Sequence, residues 1–206
     1  MILEYSDLFQ ILKLEYPNAR CTLNFNDDFE LLILARLSAQ CNDKIVNSVK
    51  IRLFETFPDF KSFAESSLTK IENLIKPCGL HKTKAKNIKN MCNVIINKFN
   101  SKIPDDIENL MSLPGIGRKT ANLLLVEIFG IPKIIVDTHV ARVSRRLGLH
   151  SQKNVNIIES VLCNKFPKCQ WSQLSHMLLA HGKNVCKARK CLCEFCVLAE
   201  KCPKNF

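Results

Sequence analysis

The stretch that decides the fold is Leu113–Leu125, which reads Leu-Pro-Gly-Ile-Gly-Arg-Lys-Thr-Ala-Asn-Leu-Leu-Leu. The segment before it, 104–112, has an acidic first turn and then apolar residues at helical spacing. We therefore expect a short helix that stops at the Leu-Pro pair, because the residue before a proline disfavours helical backbone. A second helix is expected from Arg118 onward, and four apolar residues form its buried side: Ala121, Leu124, Leu125 and Ile128.

Two glycines, Gly115 and Gly117, separate these helices. Since neither has a Cβ, the chain can turn tightly there and a ligand can approach the backbone. The turn also presents free N–H groups at the start of a helix, where hydrogen bonds and the helix dipole both favour an anion. Two glycines between helices can also form no more than a tight corner, but the complete string favours an anion site. A DNA phosphate is the natural anion.

Charge and composition agree with such a partner. The chain has 206 residues, of which 47% are apolar, and a formal net charge of +11. This length allows one large domain or two small ones with a packed core. The positive charge indicates a polyanionic partner, and nucleic acid is favoured over a membrane surface because no lipidation signal or amphipathic anchor is visible.

The sequence also predicts where the protein works. No apolar run reaches the roughly 18 residues that span a bilayer, and the first residues lack the basic and apolar regions of a signal peptide. We therefore expect a cytoplasmic protein that is associated with the nucleoid through DNA. The 11 cysteines are then expected to be reduced or metal-bound rather than paired in disulfides.

The rest of the chain reads as helical. No stretch shows the sustained two-residue alternation of a strand, and the connections are short, so we predict an all-α fold. Capping residues and apolar spacing place further helices within 1–18, 29–37, 45–54, 67–75 and 83–99.

Four cysteines near the end of the chain have metal-ligand spacing: Cys186, Cys193, Cys196 and Cys202. Four thiolates within 17 residues can converge on one centre. Either tetrahedral zinc or a 4Fe–4S cluster would satisfy them, and the spacing alone leaves both open.

Seven other cysteines fall outside this pattern. Cys191 lies inside the first loop of the cluster, where it could compete for iron; we interpret it as a bystander. The other six are expected to be small hydrophobic core residues: Cys21, Cys41, Cys78, Cys92, Cys163 and Cys169.

The segment Leu113–Leu125, followed by Val136–Gly148, resembles the helix-hairpin-helix and the following aspartate segment of the endonuclease III family of DNA glycosylases. The likeness extends over nearly the whole chain. It includes Leu-Ser-Ala-Gln at 37–40, Gly-Leu-His-Lys-Thr-Lys-Ala at 79–85 and the terminal cysteines.

The resemblance implies two helical lobes with a DNA-binding cleft between them. One lobe would be a six-helix bundle over 21–131, with the helix-hairpin-helix at about 105–129. The other would combine 1–20 with 132–206 and hold a 4Fe–4S cluster on the four spaced cysteines. The implied partner is damaged double-stranded DNA, and we expect a monomer.

The resemblance also implies a bifunctional glycosylase and abasic-site lyase that removes oxidised pyrimidines. Lys119 would be the nucleophile that forms a Schiff base, and its place in the first helical turn supplies a physical reason, because the positive end of the dipole favours the neutral amine. Asp137 would stabilise positive charge at C1′ or help to deprotonate Lys119. Asp137 is also well placed to cap the helix that follows it.

The implied DNA contacts lie in several segments. In the family, the residues that match Gln40 and Leu80 enter the space that a flipped-out nucleotide leaves, whereas His81 departs from the tyrosine more typical at its position. The hairpin residues Gly115, Gly117 and Arg118 would bind a phosphate. A metal-pinned loop can also hold three basic side chains against phosphates: Lys187, Arg189 and Lys190.

Four lysines follow the Leu80 segment: Lys82, Lys84, Lys86 and Lys89. They form either a solvated helix face or a set of phosphate contacts that would position the duplex.

Three other interpretations remain open from the sequence. The protein could be a glycosylase for mismatched or otherwise damaged bases. It could also be a DNA-binding module without catalytic activity, or an iron–sulfur electron carrier, although a carrier would not need the hairpin or the Lys and Asp pair.

Overall fold

The computed structural model describes residues 4–205. Within that range every regular element is a helix, so the prediction of an all-α fold is confirmed. No helix in this part of the chain is long and apolar enough to cross a membrane. The α-helices are α1 (Tyr5–Glu15), α2 (Asp28–Leu37), α3 (Asp43–Thr56), α4 (Phe60–Glu65), α5 (Leu68–Ile75), α6 (His81–Phe99), α7 (Ile107–Ser112), α8 (Arg118–Glu127), α9 (Thr138–Arg146), α10 (Val155–Lys165) and α11 (Trp171–Asn184).

The chain divides into two compact units. One is Thr22–Gly130, and the other joins Met1–Cys21 to Ile131–Phe206. Helices α2 to α8 belong to the first unit, whereas α1 and α9 to α11 belong to the second.

Helix α2 is the centre of the first unit. Oδ1 of Asp27 accepts from the backbone N–H of Glu30 at 2.8 Å and so caps the helix, as the sequence predicts. Every residue from Glu30 to Leu37 is buried. A helix that is apolar on nearly all sides can only be stable when other helices surround it, and α3, α6 and α8 pack on α2.

A group of aromatic rings packs around the start of α2. Phe29 at the start of α2 meets Phe54, Phe60 and Phe63, with ring centroids between 4.9 and 6.1 Å apart. Phe63 also packs on Phe57 at 4.5 Å. These contacts anchor α4, a helix that the sequence patterns did not reveal.

The second unit is built around α11, which packs against α9 and α1. Its core draws on every helix of the unit and on the segment before α9: Leu8, Phe9, Leu12, Ile134, Val136, Val140, Val143, Leu147, Leu149, Ile158, Leu162, Phe166, Leu174, Met177, Leu178 and Leu198.

Two expected helix starts differ from the structure. Helix α6 begins at His81, two residues before the expected Thr83, because the left-handed backbone of Leu80 starts the helix without a side-chain cap. Helix α3 begins at Asp43 itself, and its cap is Asn42, whose side chain accepts from the backbone N–H of Lys44 at 2.9 Å.

Candidate functional site

The hairpin between α7 and α8 has the geometry that the sequence predicts. Asp106 caps α7 by accepting from the backbone N–H of Asn109 at 2.8 Å, and α7 ends at Ser112, directly before the Leu-Pro pair. Helix α8 starts at Arg118 behind Gly117, which has no side chain to cap it. The amino end of α8 is therefore left to a ligand or to solvent.

The two hairpin glycines serve different purposes. Gly115 has φ +82°, and a Cβ there would lie 2.2 Å from Nε of Arg36 and 2.8 Å from Nδ2 of Asn87. Gly117 has φ −100°, and a Cβ there would meet nothing within 4 Å. The fold thus requires glycine at 115, whereas at 117 the missing side chain leaves open space beside the backbone.

Helix α8 presents two exposed basic residues, Arg118 and Lys119, in its first turn. Its other face is buried at Ala121, Leu124 and Leu125, as expected. The expected Ile128 is only half-buried and follows the last helical residue. Packing thus fixes the helix while the amine of Lys119 remains reachable.

Asp137 caps α9. Its Oδ1 accepts from the backbone N–H groups of His139 and Val140, each at 2.8 Å. The strand-like segment before it is buried, and the N–H of Ile135 donates to Oγ of Ser175 at 2.9 Å, which ties the segment to α11. The predicted capping role is confirmed. Asp137 belongs to the unit of α9, whereas Lys119 belongs to the unit of α8.

Gln40 and Leu80 occupy similar local environments. Gln40 has φ 53° and Leu80 has φ 47°, which is left-handed backbone that non-glycine residues rarely adopt. Both side chains are exposed, Leu80 to 59%. Left-handed backbone at a non-glycine residue is locally strained, so the surrounding structure must hold both residues in this conformation. His81 follows as the first residue of α6 and is half-buried.

The expectation for the four lysines is wrong for Lys84. Lys84 is 1% exposed, and its ammonium donates to the carbonyl oxygens of Leu37 and Cys78, each at 2.8 Å. Lys89 donates to the carbonyl oxygen of Ser66. Two carbonyl oxygens need a donor inside the unit, and Lys84 supplies it. The others, Lys82 and Lys86, are exposed.

The four spaced cysteines and Cys191 line one pocket in the second unit. Among the residues that the structure describes, no group of three or more His, Cys, Asp and Glu side chains is arranged to bind a single metal ion.

Arg146 organises the loop between the first two of these cysteines. Its guanidinium donates to the carbonyl oxygens of Lys187 at 2.8 Å and Ala188 at 3.1 Å. Nη1 also lies 3.4 Å from Sγ of Cys186 and 2.9 Å from Sγ of Cys191. Cys191 therefore lines the same pocket as the four spaced cysteines.

A buried histidine connects this pocket to Tyr16, the residue that follows α1. Nδ1 of His181 lies 3.0 Å from the hydroxyl of Tyr16, and Nε2 lies 3.6 Å from Sγ of Cys196. Burial lowers the pKa of His181 to about 4 and raises the pKa of Tyr16 to about 12. Neutral His181 thus has one ring nitrogen facing a hydroxyl and the other facing a thiol.

The remaining cysteines are less uniform than expected. Cys78 and Cys92 are buried, and burial raises the pKa of Cys78 to about 11 and that of Cys92 to about 12. The expected core position is wrong for Cys169, which is exposed on a short helical turn, and the other three are half-buried. In the first cluster loop, Lys187, Arg189 and Lys190 are exposed.

Sequence reasoning did not single out Arg36, Arg146 or His181. Each is a polar residue that is more than nine-tenths buried in its unit. The residues around Arg36 are apolar in sequence, and a charged residue inside an apolar helical run is the signal that could have drawn attention to it.

Comparison with known proteins gives a consistent picture. Residues 33–168 match the model of the HhH-GPD superfamily of base excision DNA repair proteins. Endonuclease III of Synechocystis sp. is 42% identical over 199 residues, which cover 96% of this chain and 91% of that protein. Endonuclease III of Bacillus subtilis is 40% identical over 91% of this chain and 86% of its own.

The fold agrees with these sequence relationships. A trapped covalent intermediate of endonuclease III with DNA superposes with a TM-score of 0.94 at 38% identity, covering 99% of this chain and 98% of that one. The fold and the hairpin define a helix-hairpin-helix protein of base excision DNA repair. Within that class, the chain belongs to the endonuclease III family.

Proposed function

We propose that this chain excises oxidised pyrimidines from double-stranded DNA and cleaves the resulting abasic site by β-elimination through Lys119. Its family supplies the class of activity, a DNA glycosylase with abasic-site lyase activity in base excision repair. One observation carries the specific mechanism. The amine of Lys119 is exposed in the first turn of α8, immediately after the uncapped hairpin.

This position suits a Schiff-base nucleophile. A Schiff-base nucleophile must be an amine that the sugar of the damaged nucleotide can reach, and Lys119 is exposed in the first turn of α8. An anion bound at the hairpin would place the DNA backbone next to this amine. That the related endonuclease III forms a trapped covalent intermediate with DNA supports the same chemistry here.

The reaction then proceeds in two stages, displacement of the base and β-elimination. Lys119 Nζ forms a bond to C1′ while the N-glycosidic bond breaks, and the base leaves with the electron pair and takes up a proton. Ring opening gives an imine between Nζ and C1′. Loss of the acidified C2′ proton then expels the 3′ phosphate from C3′, which cuts the strand on the 3′ side.

Asp137 supplies the negative charge that this first stage needs. Its carboxylate either stabilises the positive charge that develops at C1′ or accepts the proton of Lys119. The capping bonds to His139 and Val140 both involve Oδ1, so they hold the carboxylate in one orientation and leave Oδ2 out of the cap.

Three surfaces would hold the damaged duplex. The hairpin with Arg118 would bind a backbone phosphate, and the exposed side chains of Gln40 and Leu80 would fill the gap left by the extruded nucleotide. The third surface is the loop after Cys186, which presents three exposed basic residues: Lys187, Arg189 and Lys190.

The thiols of the C-terminal pocket fit a 4Fe–4S cluster, which the family typically contains. Cys186, Cys193, Cys196 and Cys202 would hold it, and all four line the pocket. When bound, the cluster supplies four iron–thiolate bonds that close the basic loop covalently. This chain's own residues complete the surroundings.

Arg146 and His181 would act as donors toward the cluster ligands. Nη1 of Arg146 faces Sγ of Cys186 at 3.4 Å, and Nε2 of His181 faces Sγ of Cys196 at 3.6 Å. A thiolate can only accept, so Nε2 of neutral His181 would hold the proton while Nδ1 accepts from the Tyr16 hydroxyl. The pocket therefore offers four anionic ligands together with hydrogen-bond donors that stabilise them.

Borohydride trapping tests the mechanism. The protein is incubated with a duplex that contains one thymine glycol, and in parallel with an abasic-site duplex, in the presence of borohydride. We expect wild type to form a covalent adduct on both duplexes. Lys119→Ala should form none, and Lys119→Arg serves as the matched control that keeps the positive charge but loses the nucleophile.

The outcomes separate the remaining interpretations. An adduct on the abasic duplex alone would retain the lyase chemistry and overturn the substrate, which would favour another damaged or mismatched base. Binding of the duplex without any adduct would instead indicate a DNA-binding module without catalytic activity.

A further inference from the structure

Arg36 is a buried cation with unsatisfied hydrogen-bonding capacity. It lies in the last turn of α2 and is only 7% exposed. Its Nε has no hydrogen-bond partner within residues 4–205. Burial lowers the pKa of Arg36, as expected where a positive charge is held in apolar surroundings. A charge in this situation strongly favours the approach of an anion.

The surroundings of Arg36 increase this need. The nearby ammonium of Lys84 is also buried, and burial lowers the pKa of Lys84, to which the positive charge of Arg36 adds a smaller lowering effect. Lys84 is stabilised by the carbonyl oxygens of Leu37 and Cys78, each at 2.8 Å. Two buried cations thus lie close together. The ammonium of Lys84 has acceptors, whereas Nε of Arg36 has none among residues 4–205.

Arg36 lies directly beneath the hairpin. The position of a Cβ on Gly115 would be 2.2 Å from Nε and 2.9 Å from Cδ of Arg36. The Arg36 side chain therefore occupies the space that a side chain at 115 would fill. Its positive charge lies under the same turn whose helix, α8, begins without a side-chain cap.

We propose that Arg36 is a positioning residue for DNA, and that the phosphate bound at the hairpin supplies the acceptor that its Nε lacks among residues 4–205. The backbone N–H groups at the start of α8 would hold the phosphate from outside, while Arg36 attracts it from beneath. Because the ligand is a phosphodiester of the DNA strand, the proposal rests on the proposed function, but only on its binding step.

The test measures DNA affinity as a function of salt. The probe is a duplex with one tetrahydrofuran abasic analogue, which the enzyme can bind but cannot convert. Dissociation constants are measured between about 50 and 200 mM salt for wild type, Arg36→Met and Arg36→Lys. Arg52→Met is the matched control, because Arg52 is an exposed arginine on α3 of the same unit.

The proposal predicts a specific pattern. Arg36→Met should weaken binding roughly tenfold and lower the salt slope by about 0.9, the contribution of one neutralised phosphate. Its melting temperature should be unchanged or higher, since an unsatisfied buried charge is replaced by an apolar side chain. Arg36→Lys should keep the slope, and Arg52→Met should bind like wild type.

Opposite results would overturn the proposal. If Arg36→Met melts at a lower temperature and keeps the wild-type salt slope, Arg36 has a structural role only. If Arg36→Met does not fold, Arg36→Gln replaces it in the same measurement, and an unchanged slope there refutes the proposal. Failure of the lyase function would be seen separately as absent borohydride adducts, because binding of the unreactive analogue requires no chemistry.

Discussion

Oδ1 of Asp137 accepts the backbone N–H of Val140 at 2.8 Å, and this bond joins a proposed catalytic carboxylate to the amino end of a helix. The same atom accepts the N–H of His139 at 2.8 Å. One side chain therefore combines a structural and a proposed chemical role. Substitution can separate them, because the cap needs an acceptor oxygen whereas the chemistry needs a negative charge.

Asp137→Asn should retain stability and lose activity. Asparagine caps a helix about as well as aspartate, so the free energy of unfolding should stay close to wild type, whereas Asp137→Ala should lower it by about 1 kcal/mol. Base excision should fall by about 10²-fold or more in both variants, because both lack the charge. Urea unfolding and single-turnover base release measure the two effects. Equal activity in Asp137→Asn and wild type would leave Asp137 as a cap alone.

Alanine should destabilise the protein at the first hairpin glycine and leave its stability nearly unchanged at the second. Gly115→Ala should lower the free energy of unfolding by more than about 1 kcal/mol, because a Cβ would clash with Arg36 at 2.2 Å on backbone with φ +82°. Gly117→Ala should leave it within about 0.5 kcal/mol, since a Cβ there meets nothing within 4 Å.

DNA affinity should distinguish the second glycine. Gly117→Ala places a methyl group where the proposed phosphate approaches the backbone, so it should bind the abasic-analogue duplex roughly tenfold more weakly. Thermal unfolding measures the predicted stability, and a binding titration on the same preparations measures the predicted DNA affinity. Wild-type affinity in Gly117→Ala would argue that no ligand approaches the hairpin at this position.

Leu80→Ala should impair excision without impairing stability. Leu80 is 59% exposed, so its truncation should change the free energy of unfolding by no more than about 0.5 kcal/mol. Ile51→Ala is the matched control, because Ile51 is 71% exposed on α3 of the same unit. Excision from the thymine glycol duplex should fall roughly tenfold in Leu80→Ala and stay unchanged in Ile51→Ala. Equal rates for the two variants would remove Leu80 from the proposed DNA contacts.

The stability of the second unit should depend on pH through His150. Nδ1 of His150 accepts the N–H of Gln152 at 3.1 Å, and Nε2 lies 2.8 Å from Oγ of Ser144. Burial lowers the pKa of His150 below its ordinary value of 6.5. The folded state therefore binds fewer protons at this site than the unfolded state when the pH falls below that value, so stability is lost on acidification.

The variant His150→Gln isolates this contribution. The difference in free energy of unfolding between wild type and His150→Gln should be constant well above pH 6.5, the ordinary pKa, and should shift against wild type as the pH falls towards and below it. Urea unfolding at a series of pH values measures the difference. A difference that does not change with pH would show that His150 titrates alike in both states.

Much of the local structure was predictable because its signals are short-range. Asp27 and Asp106 each directly precede a helix and accept the backbone N–H of the residue three positions later. The Leu-Pro pair ends α7 where it should. Such features depend on residues three or four apart, which the sequence displays directly.

The start of α6 and the position of Lys84 could not be read in this way. Helix α6 starts from the left-handed backbone of Leu80, for which the sequence has no capping signal. Lys84 looked like one member of a lysine-rich face, yet it donates to Leu37, which lies 47 residues earlier. The carbonyl oxygen of Leu37 needs a hydrogen-bond donor, and Lys84 supplies it only because the fold brings the two together. A local sequence pattern cannot show this.

The same limit applies to the candidate site. Lys119 and the spaced cysteines stand out because their chemistry is tied to local motifs. Arg36 does not stand out in this way. Its distinguishing feature is its contact in space with Gly115, which is distant from it in the sequence. For helix α4 a signal was present, since Asp59 and Ser62 form a capping box, but the helix has only six residues and little apolar periodicity.

The buried ammonium of Lys84 limits which substitutions the interior of the first unit can accept. It binds the carbonyl oxygen of Leu37, three residues before Gln40, and that of Cys78, two residues before Leu80. A single buried nitrogen atom therefore bridges the two segments that lead to the exposed side chains of Gln40 and Leu80. Replacing Lys84 would remove the donor from both segments at once, so a substitution in the interior reaches two exposed side chains although Lys84 itself is only 1% exposed.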